Sequence, residues 1–109
     1  MRLAIAAALL LGCQDSYVSR ELGARCDNSD ECDDRCLGPS SDWPAGFCTI
    51  RCETDTDCPE DAACIEEEGG VCAYACVADV GCTFLGNGYG CRERAARGGV
   101  GTRMVCRGS

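Results

Sequence analysis

Thirteen cysteines in 109 residues cannot all pair with one another, and spacing picks out the odd one. Twelve fall into three sets of four: Cys26, Cys32, Cys36, Cys48; Cys52, Cys58, Cys64, Cys72; and Cys76, Cys82, Cys91, Cys106. In every set the first two are separated by five residues. Adjacent sets are joined by three residues, Thr49-Ile50-Arg51 and then Ala73-Tyr74-Ala75. A period of 26 and then 24 residues predicts a linear array of small repeated units. Cys13 belongs to none of them.

Cys13 closes a different pattern. Met1-Arg2 is a short basic start, and Leu3 to Leu11 is an unbroken apolar run of nine residues. That length suits a signal peptide core and is too short to span a bilayer as a helix. The run ends in Leu10-Leu11-Gly12-Cys13, which resembles a bacterial lipobox. The resemblance implies cleavage between Gly12 and Cys13 and acylation of the Cys13 thiol. A single acyl chain anchors marginally, and two or three make the anchor effectively permanent. Gln14 at the second mature position resembles the sorting signal of an outer-membrane lipoprotein. The expected organisation is a signal peptide over 1–12, a lipidated N-terminus and polar tether over 13–25, and cysteine modules over 26–48, 52–72 and 76–106.

The large apolar side chains of the mature chain are few and scattered, too few for three separate cores. Cross-links must replace burial, and a disulfide closing a loop of about 15 residues contributes roughly 3 kcal/mol. An exported chain meets the oxidising conditions that this requires. Histidine is absent, and no Cys-x-x-Cys occurs, so neither a zinc ribbon nor a thioredoxin-like site is supported. Four cysteines allow three connectivities. First to third and second to fourth is favoured, because it interlocks two loops and leaves each linker free. The expected fold class is small and disulfide-rich: three tandem modules with short β-hairpins and little regular secondary structure. Gly46 and Gly70, two places before the closing cysteines of the first two modules, predict turns there. Asn87-Gly88 predicts a hairpin turn, and Arg92 to Arg97 one helical turn with Glu93 paired to Arg97.

The frame from Cys26 to Cys64, with Pro59 after Cys58, is similar to the N-terminal cysteine-rich domain of Dickkopf proteins. It also resembles cysteine-rich repeats of predicted lipoproteins from myxobacteria-like organisms. An adjacent Cys-Cys pair of Dickkopf domains is missing here. The resemblance implies a binding or scaffolding module rather than an enzyme.

Charge is uneven. Residues 26–79 carry fifteen acids and two arginines, whereas residues 80–109 carry one acid and five arginines. The last loop of the third module, with Arg92, Arg94, Arg97 and Arg103 flanked by Phe84 and Tyr89, is the candidate binding site. Its expected partner is a protein or an anionic polysaccharide; the alternative is a solvated loop balancing the acidic modules within or between molecules. Asp27, Ser29, Asp30 and Glu31 resemble part of the calcium motif of LDL-receptor class A modules, but a solvated acidic loop is the expectation, with no metal and no cofactor. Trp43 is expected as a lid over a disulfide. The sequence thus describes a non-catalytic surface protein of the bacterial cell envelope, attached to the outer membrane or cell surface by lipid and without a nucleic-acid partner. The alternative is a small protease inhibitor presenting Arg94 or Arg97.

Overall fold

Each cysteine set builds one antiparallel hairpin. A computed structural model describes residues 18–109. Strand β1 (Arg35–Leu37) pairs with β2 (Phe47–Thr49), β3 (Ala62–Ile65) with β4 (Val71–Tyr74), and β5 (Gly90–Ala95) with β6 (Thr102–Arg107). The expected signal peptide, its cleavage point between Gly12 and Cys13, and the expected lipidation of Cys13 fall outside the described residues.

Six disulfides join first to third and second to fourth cysteine in every set: Cys26–Cys36, Cys32–Cys48, Cys52–Cys64, Cys58–Cys72, Cys76–Cys91 and Cys82–Cys106. The third and fourth cysteines face each other across the hairpin, as Cys36↔Cys48, Cys64↔Cys72 and Cys91↔Cys106. The first and second flank a short 3₁₀ helix: Ser29–Glu31, Asp55–Asp57, or the longer Asp79–Leu85 that includes Cys82. Two disulfides therefore strap one 3₁₀ segment across both strands of each hairpin. A two-stranded hairpin alone is marginal in water, and the straps supply what its small face cannot bury.

The linkers are not free, contrary to the sequence expectation. Ile50 accepts a hydrogen bond from the Cys72 amide (3.2 Å), and the Cys52 amide donates to Gly70 (3.1 Å). Arg51 forms an antiparallel bridge with Val71, and Ala75 with Val105. Each linker so adds an isolated β-bridge along the closing strand of the next hairpin. The reason is the backbone itself: buried N–H and C=O groups need partners, and a three-residue link leaves them beside the next closing strand. Residues 18–25, expected as part of a polar tether, do the same for the first hairpin. Gly23 donates to Cys48 (2.8 Å), the Cys48 amide donates to Ala24 (2.8 Å), and Leu22 is buried.

The array is not linear. One core cluster runs through all three modules, from Leu22, Leu37, Trp43 and Phe47 through Ile65, Val71 and Tyr74 to Leu85 and Val105. Phe47 is fully buried and sits at its hub, stacked on Trp43 (ring centroids 5.0 Å apart), edge-on to Tyr74 (6.2 Å) and tilted against Tyr89 (6.3 Å). Trp43 is therefore a core residue with an aromatic neighbour, and the Arg107 guanidinium lies 5.7 Å above its ring. The chain end returns to the first module, where Gly108 donates to the Asp42 carbonyl (2.8 Å). Too few apolar groups for three cores are enough for one shared core, and burial of each large side chain is worth about 1.5–3 kcal/mol.

Two local expectations change. Residues 92–95 are strand, not helix, because Cys91 and Cys106 are tied to the preceding 3₁₀ segment and register the two strands against each other. Glu93 accordingly accepts from the Thr102 hydroxyl (2.8 Å), not from Arg97. Asn87-Gly88 does form a turn, but it joins the 3₁₀ helix to β5, and the hairpin bend lies at 96–101.

Gly46 and Gly70 mark the turns expected of them, and both have positive φ (82° and 105°). A Cβ at Gly46 would overlap the Cys26 carbonyl oxygen, and one at Gly70 the Cys52 carbonyl oxygen. Gly69 also has positive φ (82°) but open space around it. Replacing Gly69 by Ala should cost about 1–2 kcal/mol for the left-handed backbone alone. Gly46→Ala should cost clearly more, because the backbone at Cys26 must move as well. Guanidinium unfolding of the two variants checks this, and equal losses would contradict the packing argument.

Candidate functional site

The arginines of the third module sit on the β5–β6 hairpin. Strand alternation places Arg92 and Arg94 on one face of β5, and Arg103, Val105 and Arg107 on the matching face of β6. Val105 is fully buried, so this face turns inward toward the other modules. Arg94 and Arg103 are directly opposite each other, a pairing of like charges that needs compensation.

The second module supplies it. Arg94 Nε lies 2.7 Å from Glu67, and Arg103 lies 3.1 Å from Asp55. Arg97, in the bend, reaches Glu53 (3.0 Å) and Glu66 (2.6 Å). Arg107, which was not among the candidate residues, pairs with Glu67 (2.7 Å) and Asp42 (3.5 Å). Hydrogen bonding to Glu53 is the main reason the Arg97 guanidinium is held protonated even more firmly than usual. Arg92 makes no ion pair among the described residues. The basic hairpin is thus matched to the acidic modules inside the molecule, the alternative that charge balance allowed.

Backbone bonds seat the same contact. The Glu66 amide donates to Ala95 (2.9 Å), the Arg97 amide donates to Cys64 (3.0 Å), and Ile65 bridges Ala96. Phe84 and Tyr89 are turned elsewhere: Phe84 packs edge-on to Tyr74 (5.0 Å) and Tyr89 packs on Phe47. Burial pushes the Tyr89 phenol up to about 12, with nearby Arg25 opposing. The candidate residues are therefore not brought together as one surface. Nor do Arg94 and Arg97 project as a protease-binding side chain would, since both are held by carboxylates.

The acidic loops have a structural use that recurs through the repeat. The third residue after each first cysteine caps the amide of the third cysteine. Ser29 Oγ accepts from Cys36 N (3.1 Å), Asp55 Oδ1 from Cys64 N (2.8 Å), and Asp79 Oδ1 from Cys91 N (2.8 Å). The fifth residue closes the loop backward. Glu31 accepts from the amides of Asp27 (2.6 Å) and Asn28 (3.4 Å), and Asp57 from those of Glu53 (2.8 Å) and Thr54 (3.2 Å). The third module has Gly81 there and loses this bond. Superimposing the sets on their first cysteine would have exposed the Ser29, Asp55, Asp79 column. The calcium-like residues Ser29 and Glu31 are thus committed to backbone amides. Among the described residues, the cysteine groups close enough to share a metal ion are disulfide sulfurs.

These bonds set the acid response. Amide donors hold the carboxyls of Glu31 and Asp57 below their usual range. The Cys64 amide does so first for Asp55, with Arg103 adding to it. A folded-state pKa below the unfolded value means stability that is fully present above the unfolded value, near 4. That stability is lost as pH falls through the depressed folded value. The guanidinium midpoint should therefore hold steady above about pH 5 and drop toward pH 2. Asp55→Asn should flatten the drop. A midpoint unchanged across that window would refute the assignment.

Arg97→Ala should loosen the seat between the second and third modules without unfolding either. Hydrogen exchange at the Glu66 and Arg97-position amides should quicken by about twofold to fivefold, while the Cys48 amide keeps its wild-type rate. Equal acceleration at all three sites would mean that the arginine supports global stability instead.

No protein-family model, no curated protein and no solved structure matches this chain.

Proposed function

We propose that the chain is an exported protein, anchored by acyl chains on Cys13, whose disulfide-stabilised body is a non-catalytic interaction and structural module of the bacterial cell envelope. One observation carries this reading: all twelve cysteines of the repeat are consumed in six disulfides within their own modules. Such bonds persist in oxidising compartments and are rare in reducing ones. That pairing needs no contribution from Cys13, the residue at which the lipobox resemblance calls for an acylated thiol. Val18, five residues beyond Cys13 in sequence, already belongs to the described body. An anchored molecule would hold its first module close to the membrane surface. Three of the four candidate arginines are used internally, so the anionic partner expected for them is not part of the proposal.

The test is expression in a bacterial host that processes lipoproteins, with an alkyne-bearing palmitate analogue in the medium. The wild-type chain should carry label and fractionate with membranes. Cys13→Ser should lose the label and leave the membrane fraction. An unlabelled wild-type chain would sink the anchor, and free thiols in the repeat of the exported protein would sink the compartment argument.

A further inference from the structure

The six bridges differ in how far a reagent can reach them. Cys76–Cys91 is the one among them in which both cysteines are partly exposed. Cys32–Cys48, Cys52–Cys64 and Cys82–Cys106 are buried at both ends, and Cys26–Cys36 and Cys58–Cys72 at one end. The loop after the first cysteine shows why the third module differs. Its fifth residue is Glu31 in the first module and Asp57 in the second, and each carboxylate binds two amides at the start of its own loop. In the third module that residue is Gly81, and a Cβ there would sit 4.0 Å from the Cys76 Cβ, an ordinary contact. The missing side chain leaves the loop without its backward bond and Cys76 without a neighbour on that side.

Charge points the same way. Disulfides are opened by thiolates, which are anions. The first two loops carry three acids each: Asp27, Asp30 and Glu31, then Glu53, Asp55 and Asp57. The third carries Asp79 alone, and Val77 and Val80 stand where the other loops have polar residues. Both valines are well exposed, at 95% and 78%. An approaching thiolate therefore meets one carboxylate instead of three, and that one is already bonded to the Cys91 amide (2.8 Å). The effects of opening are confined by what remains. Cys82–Cys106 still ties the 3₁₀ segment to β6, and the Cys76 amide still donates to the Met104 carbonyl (3.0 Å). Residues 77–81 would keep a single tie to β5, the Asp79 cap.

We propose that Cys76–Cys91 is a thiol-exchange site, opened by a dithiol donor while the other five bridges stay closed, and that its opening releases residues 77–81 from β5. One thiolate of the donor attacks a sulfur of the bridge, forms a mixed disulfide and expels the other cysteine as a thiolate. The second thiolate of the donor then attacks the donor sulfur of that mixed disulfide, closes the donor to its own disulfide and expels the second cysteine. Two electrons pass from donor to bridge, and the two thiol protons end on Cys76 and Cys91. The proposal starts from the closed bridges that the envelope reading also uses, and it holds whether or not Cys13 is acylated.

The test exposes the folded, oxidised full chain, with Cys13 first alkylated, to graded dithiothreitol at about pH 7 without denaturant. Free thiols are trapped over time with N-ethylmaleimide and located by peptide mapping. Cys76 and Cys91 should be trapped together, at least about tenfold faster than any other pair. In the ¹⁵N spectrum of the opened chain the amides of Val77 to Gly81 should shift, while those of Cys48 and Cys64 hold. Gly81→Asp, which restores the acid of the first two modules, should slow the opening by about threefold to fivefold. First trapping at any other cysteine of the repeat, simultaneous opening of all six bridges, or no trapping short of unfolding would overturn the proposal. So would an undiminished rate in Gly81→Asp. A wild-type chain without palmitate label would leave these results untouched, so the two proposals fail separately.

Discussion

Every module depends on one arrangement: two disulfides rising from a single 3₁₀ segment to opposite strands of one hairpin. The third and fourth cysteines face each other across the strands yet never bond to each other. Each instead reaches back to the segment before the hairpin. A bond directly across the strands would close only the hairpin loop. The alternating pairing fixes strand register and also seats the preceding loop, and that loop then orders its own backbone. The capping of Cys36, Cys64 and Cys91 amides by Ser29, Asp55 and Asp79 works only because the disulfides bring loop and strand into contact. Covalent and polar constraints thus reinforce each other where apolar burial is thin.

The joining of modules follows from the same scarcity. Three-residue linkers are too short to act as spacers, so their amides and carbonyls complete the next hairpin. The apolar groups that no single module can bury are pooled around Phe47 and Tyr74. Thr49 shows how tight the junction is: fully buried in the first module, its hydroxyl donates to the Cys72 carbonyl of the second at 2.7 Å. Charge does the remaining work at the outer side, where acids of the second module meet arginines of the third. Ion pairs that keep partial contact with solvent contribute little singly. Their number on one seam, together with the backbone bonds of Glu66 and Arg97, orients the hairpin more than it stabilises it.

The module frame was legible in the sequence because disulfide spacing is a discrete signal. Equal five-residue gaps and equal three-residue linkers located all three units, and the interlocking argument named the pairing that the structure has. Long-range placement was not legible. No spacing rule says that Trp43 stacks on Phe47, or that Gly108 returns to Asp42. The seating of the arginines was not legible for a related reason. A run of like charges in sequence looks like an unbalanced loop, whereas strand alternation sends Arg94, Arg103 and Arg107 to one inward face that meets acids distant in sequence, in the first and second modules. The Arg92–Arg97 segment likewise has helix-compatible composition, and only its tie to Cys76 through Cys91 makes it a strand.

The distribution of charge now carries a different functional meaning. The net acid excess of the chain is not spread evenly over loops. It is divided between carboxylates bound to amides or guanidinium groups and a few that have neither. Bound carboxylates have small reason to attract a ligand, because their lone pairs are occupied and their field is cancelled. In a disulfide-rich protein, where side chains are recruited to satisfy backbone and to replace a core, the informative residues are those left without structural employment. By that criterion Arg94, Arg97 and Arg103, each held by carboxylates of the second module, are already employed in the fold.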